Sequence, residues 1–432
     1  MKPDKKIINS WCMYDWANSV YNLVINTTIF PIYYTAVTAN ESSGDKVNFL
    51  GFEVVNSVLY SYAISFSFLI SAIMLPILSG IADYTGEKKK FLRIFTTLGS
   101  VACMGMFFFT SNSIEWGILC VVLASVGYSS GLVFYDAYLP EIAPSSMTDQ
   151  LSARGYSFGY FGSVILLILS LALISNPNWI GFDEKSSYPV RIVFLIVGLW
   201  WIGFAQIPFK NLPNNTLNRK SSSKILLNGY LEIKKVFLSL KTQPNIRKYL
   251  IAFFFYNMGV QTIMLLATLF GSKELKLDSS QLIPILLIIQ FVAIIGAILF
   301  ARVSDKKGNI FSLAIMLIIW VGICIFSYTV TTVNEFRMVA VMVGLVMGGI
   351  QSLSRATFSK LVPKDTLDHT SYFSFFDVTF HVSVVLGTFS YGLIDQITGS
   401  MRNSTLALGS YFVIGLVILL LVKMPKKENA QA

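Results

Sequence analysis

Two hydrophobic runs are joined by SGIADYTGEKKK, residues 79–90, and a weaker copy, ARVSDKKGN, follows a later run at residues 301–309. Asp83 and Gly86 of the first copy match Asp305 and Gly308 of the second. The pattern has a physical logic. Gly80 permits close helix approach, Gly86 a tight turn, Asp83 can meet the N-terminus of a neighbouring helix, and Lys88 to Lys90 suit anionic headgroups. A polar hinge that recurs at matching places points to a chain built from two related halves.

The rest of the sequence supports this. Only 13% of the 432 residues are charged and 54% are apolar, with 34 Phe gathered in long runs rather than at the period of a soluble helix or strand. That pattern belongs to a membrane protein. Twelve spans are expected, at about 12–38, 54–82, 91–110, 114–139, 153–175, 190–209, 249–271, 281–302, 310–332, 336–361, 370–395 and 403–423. The formal charge of +10 could signal nucleic acid, but its distribution argues otherwise. If the N-terminus is cytoplasmic, that side collects 25 of the 33 Lys and Arg residues and the opposite side seven, with Arg355 inside a span. This is the positive-inside rule, so the charge reports orientation, with both termini cytoplasmic, and contact with the inner leaflet. A signal peptide is set aside, because the first run is too long and carries Asp15 within it. Cys12, Cys103, Cys120 and Cys324 show no CxxC spacing and read as free thiols, with neither a metal site nor a cofactor implied.

Connections are short except for residues 210–248, where Leu226, Tyr230, Ile233, Phe237 and Leu240 recur at helical spacing among Lys224, Lys234, Lys235 and Lys241. The expectation is an amphipathic helix on the cytoplasmic leaflet, linking an N-terminal six-helix bundle (1–209) to a C-terminal one (249–432). Two further echoes relate the halves. YDWANSVYN at the head of span 1 parallels YNMGVQT at 256–262, and setting Pro144 on Pro363 places Asp136 of span 4 opposite Arg355 of span 10.

The hinge at 79–90 resembles the signature loop of the major facilitator superfamily. YDWANS (14–19), ARGYSFGYFG (153–162), YNMGVQT and GGIQSLSRATFSKLVP (348–363) together resemble the branch that includes fungal vacuolar amino-acid effluxers linked to autophagy and their bacterial relatives. The resemblance spans both halves. It implies an all-α fold of twelve transmembrane helices in two six-helix bundles, a secondary transporter rather than an enzyme, and, more weakly, amino-acid efflux. It also implies that Asp83 latches onto the start of span 11 near Thr370, and that span 1 lines a central cavity. One departure stands out. An acidic residue is expected before Gly259, and here it is Met258, so a coupling role for that acid does not carry over. The glycines at 155, 159 and 162 suit close packing, but the proline that accompanies them in antiporters is missing.

Candidate site residues follow from the cost of polar groups in a membrane. Asp15, Asn18, Asn22 and Asn26 fall at steps of three, four and four, one polar stripe on a helix, with Asp15 nearest the cytoplasmic mouth. Tyr256, Asn257 and Gln261 face it from the other half. Asp377 and His381 share a face of span 11, and His381 lies roughly 17 Å into it, near the midplane. Arg355 lies at a depth close to that of Asp377, so an Arg355–Asp377 ion pair with His381 above it is expected, binding a charged substrate group or relaying a proton. Asp136, with Arg154 as its partner, reads as a gate or latch alongside Asp15, Asp83, Gly86, Asp305 and Gly308. The bland alternative, structural pairs and amide stripes buried between helices, stays open.

Two motifs are set aside. GYSSG (127–131) has the spacing of a hydrolase elbow, but it lies within a span and doubles as GxxxG packing. The acceptor triplets at Asn40 and Asn403 are common by chance. The reading is a monomeric transporter of a small polar or zwitterionic, amino-acid-like metabolite, contacting membrane lipids and coupled to protons, in the cell membrane of a prokaryote or a vacuolar or other membrane of a fungus. A lipid or hydrophobic-drug exporter is the alternative within the class, and a non-transporting scaffold or receptor the alternative outside it.

Overall fold

The first span is not one regular helix. In the computed structural model, which describes residues 4–39, 46–183, 186–214, 225–363 and 365–425, three segments run on without a break. They are α1 (Lys5–Val20), a π-helical segment (Tyr21–Ile29) and α2 (Phe30–Thr38). In the π segment the hydroxyls of Thr27 and Thr28 each donate at 2.8 Å to the carbonyl five residues back, those of Asn22 and Leu23. The threonines thereby reinforce turns one residue wider than the α-helix allows.

A two-stranded hairpin follows, and its second strand takes in Val54 and Val55, expected as the start of the second span. β1 (Lys46–Phe49) pairs antiparallel with β2 (Phe52–Val55) around Leu50 and Gly51, both at positive φ (51° and 85°). Adjacent left-handed residues are what a tight hairpin requires. The acceptor Asn40 and the linker's Lys224 lie outside the described residues.

The remaining elements are α3 (Asn56–Thr85), α4 (Lys88–Gly105), α5 (Ile114–Asp136), the short α6 (Leu139–Ile142), α7 (Thr148–Ser175), α8 (Tyr188–Asn211), α9 (Ile225–Thr242), α10 (Pro244–Glu274), α11 (Ser279–Lys307), α12 (Asn309–Thr329), α13 (Val333–Leu361), α14 (His369–Thr398) and α15 (Met401–Leu419). Besides the π-interrupted first span, eleven helices among the described residues are long and apolar enough to cross a membrane. A helix meets its own backbone hydrogen bonds, which hydrocarbon cannot supply. Local signals set the ends. Gly86 stops α3 in the left-handed conformation (φ 76°), and Asp278 and Thr332 open α11 and α13 with reciprocal caps to Gln281 and Glu335.

The packing repeats itself. α1 packs on α7 and α8, and α4 on α5 and α8; in the second half α10 packs on α14 and α15, and α12 on α13 and α15. Between halves, α7 packs on α11 and α13 just as α14 packs on α3 and α5. The sequence repeat maps one set of crossings onto the other, α7 onto α14, α11 onto α3 and α13 onto α5.

The linker helix departs from expectation. α9 closes on α3, where Gly229 rides over Gly80: a Cβ on Gly229 would stand 2.6 Å from Cγ1 of Ile81 and 3.0 Å from the Ile77 carbonyl oxygen. The glycine pair turns the buried stripe to Gly229, Ile233 and Val236, leaving Tyr230 and Phe237 of the expected stripe on the exposed side. Farther along, Ser239 and Gln243 bond the Tyr372 hydroxyl of α14, and Lys235 donates to Asp368 at 2.7 Å. That hydrogen bond raises the Lys235 ammonium above its ordinary range. α9 thus spans the seam between α3 and α14.

Candidate functional site

A cavity of about 240 Å³ lies between the halves, walled by the π segment of the first span and by α3, α5, α7, α10, α11, α13 and α14. The π segment presents Asn22 and Asn26, whose side chains bond each other at 3.3 Å. The expected four-residue stripe does not survive intact. Asn18 is buried off the cavity, Ser19 takes its place on the wall, and Asp15 turns into a separate cluster below. The change of helical period at Tyr21 separates the two phases.

From the facing half come Tyr256, Asn257 and Gln261, as expected. Tyr256 bonds the Ser354 hydroxyl (2.8 Å), Asn257 donates to Ser383 (2.6 Å), and Gln261 donates back to Asn257 (3.2 Å). These contacts fix the amides in place and leave part of their bonding capacity facing the cavity. Asp377 and His381 also line it. The His381 ring nitrogen Nδ1 lies 2.9 Å from the Asp377 carbonyl oxygen and 3.1 Å from its carboxylate, and Phe68 stands edge-on to the ring at 4.8 Å.

Arg355 is placed differently from expectation. It does not pair with Asp377, and it does not line the cavity. Its guanidinium, 1% exposed, reaches Asp136 Oδ1 (3.0 Å) and Asp15 Oδ2 (3.2 Å), and donates to the hydroxyl and carbonyl of Ser152 (2.9 and 3.0 Å). Trp11 and Tyr156 cover its faces at 4.8 and 4.2 Å, and the Tyr135 hydroxyl donates to Asp15 at 2.7 Å. Two carboxylates from the first half therefore hold a cation from the second, with most of its donors used. Gly155 makes this approach possible, since a Cβ there would stand 3.0 Å from the guanidinium and closer still to the Asp15 carboxylate. Asp136 thus meets Arg355 and not Arg154, which is exposed and stacks over Phe158.

The hinge residues close the same end. Asp83 accepts from the backbone N–H groups of Thr370 (3.1 Å) and Ser371 (2.7 Å) at the start of α14, the contact the resemblance implied. Its repeat partner Asp305 accepts from Gln150 at the head of α7 (2.7 Å), and Gly308 separates α11 from α12 at φ 92°. Gly86 lets the chain turn into α4, where Lys88 pairs with Glu141. Sequence reasoning missed Asp149, which gathers Ser304 (2.8 Å), Asn309 (2.8 Å) and Lys360 (2.6 Å) across the halves. It had fallen just outside the span assigned to α7. Also missed were Tyr128, Tyr156 and Tyr160 on the cavity wall, the last donating to Gln351 of α13 at 2.6 Å. All three lie inside blocks singled out for their glycines, and the i,i+4 spacing of Tyr156 and Tyr160 was the available signal.

Among the described residues no three His, Cys, Asp or Glu side chains stand close enough to hold a metal. The arrangement is a largely apolar and aromatic chamber studded with amide, hydroxyl and carboxylate groups, with one end closed by cross-half ion pairs.

The profile of the family described as vacuole effluxer Atg22 like matches residues 3–432. The chain belongs to that family. A Bacillus subtilis (strain 168) protein named as an uncharacterised MFS-type transporter, YxiO, is 32% identical over 98% of this chain and 96% of its own length. Autophagy-related protein 22 of Kluyveromyces lactis is 27% identical, covering 86% of this chain and 81% of its own. Among solved structures, the major facilitator superfamily transporter FucP in the outward conformation superposes with a TM-score of 0.72 at 14% identity, over 97% of this chain and 99% of that one. The proton:xylose symporter XylE gives 0.74 at 12% identity, over 98% and 96%. The Atg22-like chain therefore has the all-α membrane fold of the major facilitator superfamily and is a multi-pass membrane transporter.

Proposed function

We propose that this transporter moves a small polar or zwitterionic, amino-acid-like metabolite by alternating access, as proton-coupled efflux, with both termini cytoplasmic and one chain as the working unit. The observation that carries the reading is the pairing of amide walls from opposite halves, Asn22 and Asn26 facing Asn257 and Gln261, above a floor sealed by Arg355, Asp15 and Asp136. A solute seated there touches both halves, so its binding energy differs between open and closed arrangements, which is what alternating access requires. The excess of basic residues on the Asp83 side supports the orientation. The residues 1–209 and 249–432 are the two rocking bundles, with α9 between them.

Arg355 serves as the cross-half lock rather than as a substrate ligand, because its donors are engaged by protein. Proton coupling falls to Asp377 and His381, whose imidazole belongs to the class of group that titrates near neutral pH and which faces the cavity beside a carboxylate. The lipid or drug alternative draws on Phe68, Phe253, Phe373, Phe376 and Phe380 in the wall, but among the described residues the wall carries no Lys or Arg to hold a phosphate headgroup.

Flux into proteoliposomes with amino-acid and lysolipid panels, with and without a pH gradient, tests the reading. Amino acids should move and respond to the gradient, and His381→Gln should remove that response while transport continues. Lysolipid flux alone, or no dependence on the gradient, would overturn it.

A further inference from the structure

Resting on that transporter reading, we infer that the cavity floor is a subsite for a cationic group, a primary ammonium held between Asp136 of α5 and Asp377 of α14. The charge inventory is the starting point. The ionisable acids and bases that line the cavity, phenols aside, are Asp136, Asp377 and His381 among the described residues. Arg355 lies behind Asp136, and Asp15 lies behind Arg355. Two carboxylates thus flank the guanidinium and a third, Asp377, lies beside His381 on the same cavity, so with the three carboxylates ionised the floor carries excess negative charge whether His381 is neutral or an imidazolium. Excess charge in a low-dielectric cavity is costly unless a counter-ion meets it. A ligand carboxylate would add to the imbalance, and a ligand ammonium removes it.

The geometry agrees with the charges. Asp136 offers Oδ1 to Arg355, so its second carboxylate oxygen remains for another donor. His381 Nδ1 stands 3.1 Å from Asp377 Oδ2 and 2.9 Å from its backbone carbonyl oxygen, so its one N–H is divided between the two and the carboxylate keeps acceptor capacity for another donor. Ser163, 2% exposed and on the cavity wall, has a hydroxyl with no partner. A second ligand polar group can meet it. Tyr156, Phe376 and Phe380 line the same cavity, an aromatic surround that favours an organic ammonium over a fully hydrated metal ion.

The two acids come from opposite halves. A cation seated between them links α5 to α14 and adds to the Arg355 lock, so loading the subsite favours closure of the Asp83 end. An ammonium is therefore both the recognised group and the one that draws the halves together.

Three ligand series separate the charges. For leucine, phenylalanine and lysine, the decarboxylated amine and the deaminated acid are compared with the parent, using thermal stabilisation of the purified full-length protein and competition of tracer uptake in proteoliposomes. Each amine should compete within about tenfold of its parent, and each acid should fall about 10- to 100-fold below the amine, the range of a charge-assisted contact. Asp377→Asn should weaken the amines by about the same factor and leave the acids unchanged, and Asp377→Glu should restore amine binding and so rule out a folding defect. Acids binding as well as amines, or amines indifferent to Asp377→Asn in a stable protein, would overturn the inference while the transporter reading stands. Failure of all nine compounds to bind or move would overturn both.

Discussion

Replacing Arg355 by alanine tests the lock directly. The guanidinium makes two ion pairs and two hydrogen bonds to Ser152, all across the halves, and is 1% exposed. Removing one partner of a buried ion pair leaves the other charge uncompensated, at a cost of about 3–5 kcal/mol. Here Asp15 and Asp136 belong to one half and Arg355 to the other, so the cost falls on the arrangement in which the halves meet at this end. The closed population should drop roughly 100- to 4,000-fold relative to the open one. Spin labels at Met147 and Lys306, both exposed, report that end. Arg355→Ala should lengthen their separation and abolish coupled uptake. Adding Asp15→Asn and Asp136→Asn to Arg355→Ala should recover most of the lost thermal stability, because the penalty lies in unpaired carboxylates. If the label distance is unchanged, or the triple variant is no more stable than the single one, the ion pairs do not hold the gate.

Two further perturbations bear on the same end. Asp83→Asn keeps a single carbonyl acceptor for the N–H groups of Thr370 and Ser371 and removes the charge at the head of α14, so disulfide cross-linking between α3 and α14 should slow, with a loss of about 1–2 kcal/mol in closure. Gly229→Leu forces a side chain between α9 and the Ile77–Ile81 turn, which should lower stability by about 1–3 kcal/mol, whereas Leu238→Ala on the exposed side should stay within about 0.5 kcal/mol; equal thermal melts for the two variants would argue against the packed position of α9.

The sequence disclosed the latch more readily than the chamber. The pairing of Asp83 with the start of α14 came from the family resemblance of the hinge, and a carboxylate at a helix N-terminus is the physical reason it holds. Arg355 was harder, since depth along a span is legible but azimuth around it is not, and Asp377 lay at a similar depth. The better clue was the repeat: Asp136 and Arg355 occupy equivalent positions in the two halves, and equivalent positions near a pseudo-two-fold axis face each other. The stripe on the first span failed at Asn18 because a constant helical period was assumed, and the π segment changes the period at Tyr21. The linker stripe failed for a different reason. A hydrophobicity pattern ranks faces by greasiness, yet Gly229, which has no side chain to bury, decides which face touches α3 because it lets two backbones meet.

The equivalence of Asp136 and Arg355 has a consequence for how such a gate can arise. Two identical half-chains related by an axis would set like against like at this position, aspartate on aspartate or arginine on arginine, and the closed end would repel itself. Where the two halves are encoded separately, as in this single polypeptide, their sequences can differ and place opposite charges at the same repeat site. The ion pair is a contact that a symmetric dimer cannot make, so the sequence difference between the halves supplies the asymmetry on which the lock depends.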